Sequence, residues 1–201
     1  MKRILLASLL LAAAAALVWG VLRLVVGTGP QGPAGEILTE RIEKTADVLE
    51  VEFTARVDAP AERVFRAFRE PERAQEFSDG VRRSRLVREG DNVKVVEFRL
   101  DVLGWPQEFV MEFAFEPHRR RVAFKTLRSS ASEVEGAYLL TPHDGSTLVT
   151  YRATARDKVQ APPLALQKRA ARQAFTAVVR GLMNRIEQEG RSERTPRARR
   201  Q

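Results

Sequence analysis

VEFTARVDAPAERVFRAFREPER, residues 51–73, changes its apolar period halfway along. In the first part Val51, Phe53, Ala55 and Val57 alternate with Glu52, Thr54 and Arg56, so an extended chain would present one apolar face and one polar face. That is a half-buried strand. From Asp58 the period lengthens: Ala61, Val64, Phe65 and Phe68 fall at the i, i+3, i+4, i+7 spacing of one helical stripe, with Asp58 able to cap and Pro60 suited to the first turn. Pro71 then restarts a second short helix in EPERAQEF.

Beyond this stretch the period returns to two for some eighty residues, interrupted by turn signals at Gly90-Asp91-Asn92, Leu103-Gly104-Trp105-Pro106, Pro117-His118, Ser129-Ser130 and Pro142-His143-Asp144-Gly145. Six strands joined by hairpins are predicted. Their apolar faces carry Val96, Phe98, Leu100 and Val102; Phe109, Met111, Phe113 and Phe115; Val122 and Phe124; Tyr138 and Leu140; and Val149, Tyr151, Ala153 and Ala155. Short connections between consecutive strands imply an antiparallel meander. Pro162 and Pro163 introduce a last helix that is expected to run to about Glu189. Its stripe is Ala171, Phe175, Val178, Leu182 and Ile186, with Lys168, Arg169, Arg172, Arg180 and Arg185 largely elsewhere. A helix with that stripe needs a sheet to cover.

Towards the amino end, Glu36 to Asp47 is ambiguous: Ile37, Leu38 and Ile42 suit one helical face in a segment too short to assign. Before it, GTGPQGPAG (residues 27–35) holds four glycines and two prolines and reads as a tether. Ile4 to Leu22 runs nineteen residues without a charge. As a helix it spans about 28 Å, enough to cross a hydrocarbon core about 30 Å thick. Lys2 and Arg3 precede it and only Arg23 follows closely, which favours an amino terminus in the cytoplasm and the remainder on the outer, periplasmic side. The alternative is a signal peptide cleaved near Ala12–Ala16, leaving a soluble periplasmic protein. The divisions are therefore an anchor or signal at 1–26, a Gly/Pro-rich linker and lead-in at 27–47, a folded domain at 48–189 and a disordered Arg-rich tail at 190–201.

The chain has 201 residues, a formal net charge of +8 and no cysteine, which excludes disulfides, thiolate metal sites and cysteine nucleophiles. The charge is not spread evenly. The first 23 residues carry +3 and the last eleven +4, leaving +1 for the body. A nucleic-acid-binding domain would need its basic stripe in that body, so no nucleic-acid partner is expected.

The order of elements, together with the opening VEFTARVDAPAERVFRAFREPER and the terminal KRAARQAFTAVVRGLMNRIE, resembles the START-like (SRPBCC) superfamily, the polyketide cyclase and coenzyme-Q-binding group with the helix-grip fold. The resemblance implies an α+β domain in which a curved seven-stranded antiparallel sheet wraps around the long C-terminal helix, here preceded by a transmembrane helix. It also implies a hydrophobic cavity between sheet and helix for a lipid, sterol, quinone or polyketide. The residues agree in chemistry: Phe98, Phe109, Met111, Phe113, Phe124, Tyr138, Tyr151, Phe175 and Leu182 make an aromatic-rich interior that is either pocket lining or plain core. Tyr138, Tyr151 and Thr126 are the polar handles on those faces. Trp105 either lines the mouth or folds back onto the core.

Catalytic signals are thin. His118 and His143 sit in turns with no second ligand at metal spacing, and there is no nucleophile elbow or phosphate-binding glycine loop. Glu133 and Glu135 lie on the face opposite Tyr138. No metal, cofactor or catalytic residue is assigned. The expectation is a membrane-tethered module that binds or transfers a hydrophobic small molecule. The alternatives are a cyclase or dehydratase using a tyrosine of the same cavity, and an interaction protein with a packed core.

Overall fold

The structure, a computed structural model, describes residues 37–194 apart from 79, 103–104, 130–131 and 159–161, and gives no side-chain placement for 102, 105 and 192–194. The proposed anchor at Ile4–Leu22 and the tail beyond 194 lie outside the described residues. Among the described residues no helix is long and apolar enough to cross a membrane.

Eight strands form one antiparallel sheet: β1 (Ile37–Thr45), β2 (Val48–Val57), β3 (Val81–Glu89), β4 (Val93–Val102), β5 (Trp105–Glu116), β6 (Arg121–Ser129), β7 (Ser132–His143) and β8 (Ser146–Asp157). Their order across the sheet is β1-β2-β8-β7-β6-β5-β4-β3. The predicted meander is β3 to β8, and the strand at the start of the quoted stretch, β2, pairs with β8 from Val48↔Arg156 to Val57↔Thr147. Helix α1 (Ala61–Phe68) follows β2, and a 3-10 helix at Pro71–Glu76 stands where the second short helix was expected. Helix α2 (Leu164–Arg194) is the last element, and the sheet wraps around it in the helix-grip arrangement.

Three expectations need correction. The sheet has eight strands rather than seven, because the ambiguous lead-in forms β1, paired with β2 from Ile37↔Ala55 to Thr45↔Val48. Only Ile42 of β1 is fully buried, so its own pattern carries almost no period; backbone pairing to a neighbour makes it a strand. Helix α2 runs five residues past Glu189, so the first part of the assigned tail is helical. Asp58 does not cap α1: the N-cap residue is Pro60 with no side-chain cap, and an Asp58 oxygen instead lies 3.4 Å from Arg56 Nε.

The core forms where α1 and α2 meet the inner face of the sheet. Val64, Phe65 and Ala67 of α1 and Phe175, Val179, Leu182 and Ile186 of α2 are buried with Phe53, Val57, Phe115, Val122, Leu140 and Val149. Thr147, buried on β8, donates to Ala59 O at 2.6 Å and so ties the last strand to the β2–α1 connection. Polar contacts fix β1 to α2: Arg172 reaches both carboxylate oxygens of Glu40 at 2.6 and 2.7 Å, and Lys44 donates to Gln167 at 3.3 Å.

Candidate functional site

The inner face of the sheet is packed unevenly along its strands. Around Val57, Val122 and Val149, beneath α1, side chains are 1% exposed or less. One step further along the sheet, Phe113 on β5, Tyr138 on β7 and Tyr151 on β8 face inward yet are only partly buried, as are Ala155 on β8 and Ala171 and Val178 on α2. Helix α2 comes close to β2 and α1 and stands farther from β4 to β7. Side chains that face a helix and still keep accessible surface mark the less tightly packed part of the interior, the space between α2 and the middle of the sheet.

Aromatic rings surround that space in one connected set. Phe53 stacks on Phe175 of α2 at 4.8 Å and 9°, and Phe124 stacks on Tyr151 at 5.7 Å and 7°. Tyr138 lies 5.1 Å from Tyr151, 5.4 Å from Phe124 and 4.6 Å from Phe68 of α1. Phe113 continues the chain from Phe124 at 6.4 Å to Phe98 at 6.0 Å.

Of the nine residues proposed from sequence, the structure joins Phe98, Phe113, Phe124, Tyr138, Tyr151 and Phe175 in this ring network. Met111 lies beside it, opposite Val96 and Thr126, and Phe109 lies opposite Phe98. Leu182 is 7% exposed and belongs to the packed core under α1. Phe53 and Phe68 complete the network and were absent from the proposal. Their signal was present, since both stood in the apolar stripes of the quoted stretch, but stripes show only that a residue faces inward, not which neighbours it meets.

The polar handles differ from one another. Thr126 is used by the fold: its hydroxyl donates to Val134 O and accepts from Val134 N, both at 3.1 Å, where the β6–β7 ladder has ended at Lys125↔Glu135. The Tyr138 and Tyr151 hydroxyls have no hydrogen-bond partner among the described residues. Burial pushes both phenols above their ordinary value, and the nearby Tyr151 adds to the effect on Tyr138. They remain protonated donors at any ordinary pH.

Two cations lie inside the grip, and both are spoken for. Lys94 shares the inner face of β4 with Val96 and Phe98; its ammonium contacts Glu72 at 2.6 Å and Glu89 at 3.3 Å. Burial works against its charge, but hydrogen bonds and attraction from those two carboxylates carry its pKa above the usual lysine value. The second oxygen of Glu72 is buried without a partner. Arg185 of α2, expected off the buried stripe, is 4% exposed: it donates to Ala67 O at 2.9 Å and pairs with Glu70 and Glu189, over the ring of Phe77.

Other candidates fall outside this space. His118 and His143 are exposed in turns, and Glu133 and Glu135 are exposed on the outer face. Trp105 opens β5, and the reading of its side chain lies outside the described residues. Among the described residues no three carboxylate or imidazole groups gather as a metal site. A shallow groove of about 730 Å³ crosses the outer face of the sheet over Ala114, Ala123 and Ala137. Its rim charges pair among themselves, as Arg41–Glu43, Arg152–Glu52 and Lys125–Glu112, so it presents no uncompensated charge cluster.

A family model described as polyketide cyclase / dehydrase and lipid transport matches residues 48–190. No curated protein sequence matches the chain. Among solved structures, the Zhui aromatase/cyclase of Streptomyces sp. R1128 superposes with a TM-score of 0.66 at 17% identity, over 73% of this chain and 98% of that one. A START superfamily protein from Mycobacterium smegmatis gives 0.60 at 16% identity over 69% and 97%. The STAR-related lipid transfer protein of Xanthomonas axonopodis gives 0.58 at 16% identity over 77% and 99%. At these identities the likeness is one of fold.

Proposed function

The chain belongs to the polyketide cyclase / dehydrase and lipid transport family, and from that premise we propose that it holds a hydrophobic small molecule of the lipid, sterol or quinone class between the sheet and α2 while anchored to a membrane. The observation that carries the reading is the set of rings at the centre of the grip, Phe113, Tyr138 and Tyr151, which face α2 and keep accessible surface. An apolar ligand filling that space would cover those rings at about 25 cal/mol for each Å² of apolar surface removed from water.

The membrane half of the reading rests on the uncharged run Ile4–Leu22 behind Lys2 and Arg3. An anchor places the domain on the outer side of the cytoplasmic membrane and keeps it beside a reservoir of apolar ligand, which raises effective concentration without any new contact. The arginines after residue 190 would add attraction to anionic head groups.

A cyclase-type enzyme is the second reading, favoured by the two phenols without protein partners. A general acid works best with a pKa near the working pH, and burial moves both tyrosines the other way, so binding is the better account.

The test is to purify the full chain from membranes in detergent, extract it with organic solvent and identify what is released by mass spectrometry, alongside uptake of fluorescent lipid and quinone analogues. A stoichiometric apolar molecule or saturable uptake supports the proposal. Neither in the same preparation would overturn it.

A further inference from the structure

Tyr138 and Tyr151 stand directly opposite one another on β7 and β8, with ring centroids 5.1 Å apart. Their hydroxyls lack protein partners among the described residues, whereas the buried hydroxyl of Thr147 and the inward-facing Thr126 are both satisfied by backbone. The two phenols are not among the buried atoms left without a partner, so their hydroxyls keep accessible surface and stand side by side on the inner face with both donors open.

Resting on the ligand-site reading above, we infer that the Tyr138–Tyr151 pair is the polar anchor of the site, and that its ligand is an uncharged apolar molecule presenting a carbonyl-type acceptor oxygen to the two phenols. The pair offers two donors, because burial keeps both phenols protonated. Around them stand Phe53, Phe68, Phe124 and Phe175, which offer ring faces and no charge.

Charge on the ligand is excluded by what lies nearby. A carboxylate or phosphate brought to the phenols would be stripped of water and given only neutral donors. The interior cations are already neutralised, Lys94 by Glu72 and Glu89 and Arg185 by Glu70 and Glu189. Drawing either away would strip the carboxylate partners from a cation whose own side chain is only 12% exposed for Lys94 and 5% for Arg185. Among the described residues the interior carboxylate that keeps an unpartnered oxygen, Glu72, is held by Lys94.

Three flat probes of similar size separate the possibilities: 2-methyl-1,4-naphthoquinone, 2-methylnaphthalene and 2-naphthoate, each measured by equilibrium dialysis against the full chain and against Tyr138→Phe, Tyr151→Phe and the double variant. The wild type binds the quinone about tenfold more tightly than the hydrocarbon, the worth of one to two neutral hydrogen bonds, and the carboxylate at least tenfold more weakly than the quinone. The double variant loses the quinone preference while its affinity for the hydrocarbon stays the same, which a folding defect would not produce. Equal wild-type affinity for quinone and hydrocarbon, or for quinone and carboxylate, overturns the anchor and leaves the ligand site standing. Binding of none of the three by wild type, with no apolar molecule in solvent extracts, overturns the ligand site and the anchor together.

Discussion

Gly136 shows how much one side chain, or its lack, governs in this sheet. It sits on β7 between Phe124 of β6 and Ala153 of β8, and a Cβ added there would lie 2.2 Å from the Arg152 carbonyl oxygen. The obstacle is backbone, which cannot swing aside like a side chain. Gly136→Ala is expected to destabilise by about 3 kcal/mol, the upper end of the usual cost of overpacking, read as a lower urea midpoint. Gly145 answers a different demand: with Asp144 it forms a two-residue turn in which both φ angles are positive, 44° and 78°. The tyrosines carry a pH signature. Their folded-state pKa values lie above the unfolded value of about 10, so stability is fully present below pH 10 and falls as pH rises beyond it, when the unfolded chain releases protons that the folded one retains. Urea midpoints measured from pH 8 to pH 11 should drop above pH 10 in wild type, and drop less steeply in the Tyr138→Phe, Tyr151→Phe double variant.

Among elements, α2 and β1 depart furthest from their local patterns. Two arginines of α2 both make ion pairs, yet the Arg185 side chain is 5% exposed and the Arg172 side chain 57%. Exposure decides their worth. Arg185→Ala removes a buried guanidinium with its donor to Ala67 O and its packing on Phe77, a loss of about 2 kcal/mol, while Glu70 keeps Arg73 as a partner. Arg172→Ala severs only a solvated contact with Glu40 and should leave thermal unfolding nearly unchanged. A thermal melt of the two variants side by side checks the contrast. Arg185 was unreadable as a buried residue because helical spacing reports which face a residue is on, not whether α1 and the 3-10 helix close over that face. β1 was unreadable for a related reason: Ile42 alone is buried, and the element exists through its pairing with β2 and the polar ties of its Glu40 and Lys44 to Arg172 and Gln167 of α2. Strands β2, β4, β5 and β8, by contrast, were legible because apolar and polar residues alternate along most of each, while β6 and β7 showed only Val122 with Phe124 and Tyr138 with Leu140 and were read from the turns that bound them.

For the whole molecule, the distribution of charge bears on where the domain works. With +7 of its +8 on the first 23 and last eleven residues and a nearly neutral body, the chain carries the charge distribution on which the proposed membrane anchoring rests. The full chain should stay with membranes through an alkaline carbonate wash, and removing residues 1–26 should release it; a full chain that the wash extracts would count against the anchor. The candidate site was half readable at this scale. Phe98, Phe113, Phe124, Tyr138, Tyr151 and Phe175 could be named from their apolar faces, because alternation in a strand and 3.6-residue spacing in a helix are local properties written into adjacent residues. Which of those faces is packed and which borders a space depends on how far α2 stands from each strand. So does the choice between Thr126, whose hydroxyl the backbone consumes, and the two tyrosines, whose hydroxyls it leaves without a partner. Periodicity is a one-dimensional signal, and it told inside from outside; the aromatic cluster and the two phenols within it arise only where segments more than a hundred residues apart, such as Phe53 and Phe175, come to lie against each other.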